Sequence, residues 1–195
     1  MRQARVERKT GETQIDATID LDGTGQWEIR TGIGFLDHML SHVAVHGSMD
    51  VFLHAAGDLH VDAHHTVEDV GIVLGLALKQ ALGDRKGIVR YGHSLLPMDE
   101  ALAMVALDFS GRGLFVGDLA LRTERVGALE TELVAEFLRA LAHNAGMTLH
   151  VRLICGENTH HQIEAIFKGL GRALRQAAAV DGRQADVVPS TKGVL

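Results

Sequence analysis

The stretch DAHHTVEDVG, residues 62–71, opens a run of helical spacing on two adjacent histidines and a glutamate, and ENTHHQIEAI, residues 157–166, repeats the cluster. A cluster that recurs together with its helix constrains the fold more than a lone motif does, because the segments around it should then recur too. They do. The first thirty residues alternate apolar with polar and break at Gly11 and at Asp22-Gly23, the signature of an antiparallel hairpin or meander. From Gly34 the period changes, with Phe35, Leu36, Met39, Leu40 and Val43 on one helical stripe that stops near Gly47. MDVFLHAAG is strand-like, and residues 64–82 return to helical spacing before Gly83-Asp84 stops them. The second half repeats the order: strand-like segments with turns from His93 to Leu119, a helix over 129–144, the strand MTLHVRLIC and a helix over 159–179.

Two halves, about 1–86 and 87–180, are therefore expected, followed by a turn-rich tail over 181–195. The join GDRKGIVRYG is too short for a free linker, so the halves should share one compact body. The expected class is α+β, each half an antiparallel or mixed sheet with two helices on one face.

Composition narrows the function classes. A net charge of −6 excludes a general polyanion binder and argues against nucleic acid as a partner. No apolar run is long enough for a membrane span, and the N-terminus lacks a signal core, so a cytoplasmic protein is expected. The single Cys155 fits a reducing compartment and reads as a small buried apolar residue. Twelve histidines beside one Trp and one Tyr are the anomaly, and point to metal or proton transfer.

On a helix, residues four apart share a face, so His64 pairs with Glu68 and His160 with Glu164, while His65 and His161 point about 100° away. Imidazole with carboxylate suits a first-row divalent ion better than calcium or magnesium. Aligning the first helices of the two halves sets His38 opposite Glu136. The eight residues would furnish two four-ligand sites, meeting within one chain or across a subunit boundary. The order is not the H-E-x-x-H of zinc proteases. The remaining histidines, at 42, 46, 54, 60, 93, 143 and 150, read singly as solvated or core hydrogen-bonding residues. Arg90, Arg112, Ser190, Thr191 and Lys192 lie near glycines and make sensible phosphate clamps, although each arginine taken alone reads first as a surface salt bridge and STKG equally as a frayed tail. Glu12, from its position at a hairpin tip alone, reads as a solvated acid.

Together GFLDHML, DAHHTVEDVGIVLG, LPMDEALA, LDFSGR, THHQIEAIFKGLGRALRQA and STKGVL resemble the imidazoleglycerol-phosphate dehydratase family, in order and over nearly the whole chain. The resemblance implies βββαβα halves like the second domain of ribosomal protein S5. It implies a hydro-lyase of histidine biosynthesis that converts D-erythro-imidazole glycerol phosphate to imidazole acetol phosphate and water, its ring held as an imidazolate between two Mn2+ ions, with no organic cofactor. One manganese would take His64, Glu68, Glu136 and His161, and the other His38, His65, His160 and Glu164; many members carry histidine where this chain has Glu136. The resemblance maps substrate contacts to Glu12, Arg90, Arg112, Ser190 and Lys192, which Thr191 adjoins; as a mechanistic hypothesis, catalysis would fall to Glu12, His64, Glu68, His160 and Glu164, with Glu12 moving the proton and metal-bound water or a spare cluster carboxylate as rivals. The assembly implied is a homo-oligomer of trimers in a twenty-four-subunit shell, with active sites between subunits. The alternative reading is a metal-storage or metal-buffering protein built on the same His/Glu clusters, which has no need of Arg112.

Overall fold

The computed structural model describes residues 2–183 and 185–194; Met1, together with Gln184 and Leu195 of the expected tail, lies outside the described residues. In the first half, β1 (Gln3–Lys9) and β2 (Thr13–Asp20) form an antiparallel hairpin, followed by β3 (Trp27–Arg30), α1 (Gly34–Gly47), β4 (Asp50–Gly57) and α2 (His64–Leu82). The second half repeats the plan as β5 (Tyr91–Met98), β6 (Ala101–Asp108), β7 (Leu114–Asp118), α3 (Glu132–Ala145), β10 (Thr148–Cys155) and α4 (Thr159–Ala178). Its one addition is a small hairpin, β8 (Arg125–Val126) and β9 (Leu129–Glu130), before α3.

The sheets have matching orders, β1-β2-β4-β3 and β5-β6-β10-β7, each mixed, with one parallel pair at an edge. Of the hairpin or meander expected for the first thirty residues, the hairpin is present and the meander is not. Strand β4 pairs with β2 from Thr13↔Gly57 to Asp20↔Asp50, whereas β3 is four residues long and lies parallel on the far side of β4, reached through the α1 crossover. The longer ladder takes the inner position because it satisfies more backbone groups. Residue 129 likewise belongs to β9 rather than to a helix, since Gly127, at φ 59, turns the β8–β9 hairpin first.

Alternation in β2, β4, β5 and β6 sends one face of each sheet inward, and both helices of each half cover that face. The helices then pack across the halves, α2 on α3 and α1 on α4, giving a sheet–helix–helix–sheet sandwich. One apolar cluster runs through both halves, and Phe137 of α3 stacks on Phe167 of α4 at 5.5 Å between ring centroids. The join is packed rather than free: Arg85 is buried and donates to the carbonyls of Phe109 and Ala145, and Ile88 bridges to Val180. No helix among the described residues is long and apolar enough to cross a membrane. Cys155 is exposed rather than buried, because a bulge between Leu153 and Cys155 ends the inward alternation of β10.

Two glycines set the helix crossings. A Cβ on Gly75 would lie 2.7 Å from the Leu141 carbonyl oxygen and 3.0 Å from the Ala145 nitrogen, and one on Gly171 would lie 2.8 Å from the Val43 oxygen and 3.0 Å from the Gly47 nitrogen. Each glycine stands eleven residues after the first histidine of its pair (75 − 64 and 171 − 160). Their contacts are equivalent too, since 141 − 43 and 145 − 47 both equal 98, as does 136 − 38. The backbones of α2 with α3 and of α4 with α1 thus meet at duplicate points, and the histidine clusters sit a fixed number of turns from them.

Candidate active site

The α1–α4 crossing brings one cluster together. His160 and Glu164 share a face of α4 as expected, with His160 Nε2 3.1 Å from Glu164 Oε2. From α1, His38 Nε2 lies 3.7 Å from the same oxygen. Ligand atoms of His38, His160 and Glu164 all fall within 4.8 Å of one another, a spacing a single cation can span. Asn158 caps α4, its side chain accepting from the amides of His160 and His161, and so fixes the turn that presents both imidazoles.

Two further groups belong to this cluster. His42, read from sequence as an ordinary histidine, lies 3.5 Å from Glu164 Oε1 and 3.3 Å from His38 Nε2, because it follows His38 by one helical turn. Burial pushes the His42 imidazole down to about 4, so it stands neutral near pH 7. Lys168, one turn after Glu164, holds its Nζ 2.5 Å from Glu164 Oε1. Glu164 is buried; burial pushes its carboxyl up, but Lys168, His42 and His160 outweigh that and hold it below the usual carboxylate range. The cluster is therefore a buried carboxylate ringed by imidazoles and one ammonium, and its imidazole and carboxylate groups are donors that fit a divalent cation.

At the duplicate crossing, α2–α3, the side-chain cluster is more open. Glu68 and Glu136 line one open crevice of about 510 Å³ with Arg139 and His143, in agreement with the alignment of Glu136 with His38. Yet no hydrogen bond or ion pair joins His64 to Glu68, and Glu136 pairs with Arg139 instead.

His65 and His161 turn away from both clusters. His65 Nδ1 lies 3.0 Å from Asp58 Oδ2, and its Nε2 is 3.8 Å from Glu12 at the β1–β2 tip. His161 Nδ1 lies 2.8 Å from Glu100 Oε2 at the β5–β6 tip, and Glu100 also accepts the amides of Glu157 and Asn158. The Asn158 amide, then His161, and then the backbone amides of Glu100 and Glu157 pull the Glu100 carboxyl down to about 2, while the paired carboxylates hold both imidazoles above the ordinary histidine value.

The residues read as phosphate clamps converge. Arg90, Arg112, Ser190, Thr191 and Lys192 line one cavity of about 940 Å³, together with Tyr91 and Ser110. Arg90, held at φ 75, donates to both oxygens of Asp108 at 2.7 and 3.1 Å and to the Pro189 carbonyl at 2.7 Å, so it ties the tail to the start of β5. Arg112 donates to the Ser110 carbonyl at 3.4 Å, which leaves most of its fork open. The cavity shares no lining residue with the α1–α4 cluster. Of the groups that sequence reasoning passed over, His42 and Lys168 carried an i, i+4 signal; Asp58, Glu100 and Asp108 reach their partners through loops or across strands and carried none.

Known proteins place this architecture. The family model described as imidazoleglycerol-phosphate dehydratase matches residues 31–174. The Desulforamulus reducens imidazoleglycerol-phosphate dehydratase is 61% identical over 194 residues, covering 100% of this chain and 98% of the relative. That of Cereibacter sphaeroides is 56% identical over 195 residues, covering 100% of both. Among solved structures, the Staphylococcus aureus enzyme superposes with a TM-score of 0.83 at 42% identity, over 92% of this chain and 99% of that one. The Pyrococcus furiosus enzyme gives 0.84 at 37% identity, over 97% and 100%. With a matched frame spanning both halves and both histidine clusters, the chain belongs to the imidazoleglycerol-phosphate dehydratase family and is a hydro-lyase of histidine biosynthesis.

Proposed function

We infer that the chain dehydrates D-erythro-imidazole glycerol phosphate to imidazole acetol phosphate at a two-manganese site completed between subunits. The observation that carries this reading is the approach of His38, His160 and Glu164 to within 4.8 Å, on a chain that also carries a separate cationic cavity. His38, His65, His160 and Glu164 would hold one ion, and His64, Glu68, Glu136 and His161 the other. Two such ions would supply Lewis acidity that helps the substrate ring carry negative charge and so assists departure of the neighbouring hydroxyl.

The chain's own groups do the rest. Arg112, Ser190, Thr191 and Lys192 clamp the phosphate, with Arg90 held in place by Asp108; this binding fixes the ring relative to the ligand clusters. Glu12, at an exposed hairpin tip beside His65, takes and returns the proton lost from carbon. His65 and His161 face outward from the cluster of their own chain, so a homo-oligomer, trimers built into a twenty-four-subunit shell, brings them to a neighbour's ligands. The outer face of the second sheet exposes Leu95, Met104, Val116 and Ile154, apolar area that such packing covers. The reading places the chain in the cytoplasm, with no nucleic-acid or membrane partner.

The test is turnover. Protein stripped with a chelator should lose water-elimination activity on imidazole glycerol phosphate and regain it with added Mn2+. Activity that survives stripping, with no metal left in the protein, overturns the reading.

A further inference from the structure

In both halves the histidine that turns away from its own cluster rests its Nδ1 on a carboxylate, His65 on Asp58 and His161 on Glu100. The carboxylates are not duplicates of one another. Asp58 follows β4, whereas Glu100 sits at the β5–β6 tip, whose counterpart in the first half is the β1–β2 tip bearing Glu12. The same contact is thus built twice by different routes, which gene duplication alone does not supply.

The geometry points to Asp58 and Glu100 as positioning residues for the metal, each fixing its imidazole as an Nε2 ligand. This rests on the two-metal reading above. An ionised carboxylate only accepts hydrogen bonds, so the imidazole facing it carries its proton on Nδ1 and its lone pair on Nε2. That outward-facing nitrogen is the one available to a cation, and such carboxylate–histidine pairing is the usual support for a metal-bound imidazole. Glu100 Oε1 is pinned by the amides of Asn158 at 2.7 Å and Glu157 at 3.1 Å, whereas Asp58 Oδ1 is buried without a hydrogen-bond partner, so the bond from Oδ2 to His65 is the one its side chain makes.

A plainer role is that Glu100 merely caps the loop leading into α4, and Glu100→Gln separates the two. The amides of residues 157 and 158 are donors, so a glutamine there keeps its oxygen on them and turns its NH2 toward His161 Nδ1. The loop stays capped, but the imidazole is driven to carry its proton on Nε2, where it blocks the metal. Mn2+ titration of the stripped oligomer, followed by the electron paramagnetic resonance of free Mn2+, should show the site containing His161 weakened about 10–100-fold in Glu100→Gln, with the thermal midpoint of the metal-free protein unchanged. Asp58→Ala should weaken the other site by a similar factor. Both Kd values within twofold of wild type in Glu100→Gln overturn the proposal, as does a loss of affinity matched by a loss of metal-free thermal stability. If wild type itself takes up no Mn2+, or His161→Ala binds it as tightly as wild type, the two-metal reading fails instead.

Discussion

Replacing Gly75 with valine tests the duplicated helix crossing and can be sized from the contacts there. An added Cβ would lie 2.7 Å from the Leu141 oxygen, 2.8 Å from the Asn144 Cβ and 3.0 Å from the Ala145 nitrogen. Ordinary contacts need about 3.5–4 Å, so α2 and α3 must part by roughly 1 Å. Two of those atoms are backbone and cannot rotate aside. Overpacking of this kind costs about 1–3 kcal/mol, and the valine methyls push the estimate to the upper end; the better helix propensity of valine returns only about 0.3 kcal/mol. A net loss of about 3 kcal/mol lowers the thermal midpoint by about 6–12 °C for a chain of this size. Differential scanning calorimetry of the metal-free protein at fixed concentration measures it. Gly171→Val, at the equivalent crossing against Val43 and Gly47, should agree to within about 1 kcal/mol. Gly182→Ala, in open space, should shift stability by less than about 0.5 kcal/mol. A neutral Gly75→Val, or a large effect at one crossing alone, refutes the paired architecture.

Arg112→Ala should leave manganese content at the wild-type level while kcat/KM falls at least tenfold, measured by metal analysis and steady-state kinetics on the same preparation; unchanged kinetics would favour a storage role over catalysis. Asp50 accepts the amides of Thr24, Gly25 and Gln26 at 2.8–3.0 Å. Desolvation pushes its carboxyl up, but the three amides outweigh that and hold it below its ordinary 3.8. A depressed carboxyl contributes stability that is full above the unfolded value and lost as pH falls through the folded one. Wild type should therefore lose stability relative to Asp50→Asn below about pH 4, seen as converging urea midpoints on acidification; parallel curves would contradict it.

Much of this was legible in the residues because periodicity reports local burial. Helix α2 starts at His64 and ends at Leu82 as its apolar spacing and Gly83 indicate, and α4 follows the same logic. Strand partners were harder, since alternation in WEIR fixes a face but not a neighbour, and β3 chose the edge beyond β4. At the site, spacing on one helix pairs His160 with Glu164, while the internal alignment sets Glu136 opposite His38 and the structure adds that Glu136 shares a crevice with Glu68. His42 reads from sequence as a lone histidine although it stands one turn from His38. Its proximity to Glu164 depends on how closely α1 approaches α4, which Gly171 decides through a tertiary contact. Asp58 and Glu100 lie on loops whose positions follow from the packed sheets, so no local pattern marks them.

The central claim, that imidazole–carboxylate sets from twin halves grip two cations, is tested most directly by counting manganese per chain in the reloaded oligomer by atomic absorption after dialysis. Two ions per chain in wild type, and no more than one in either His160→Ala or His64→Ala, is the expected result. A wild-type count near zero, or counts that neither substitution changes, contradicts it.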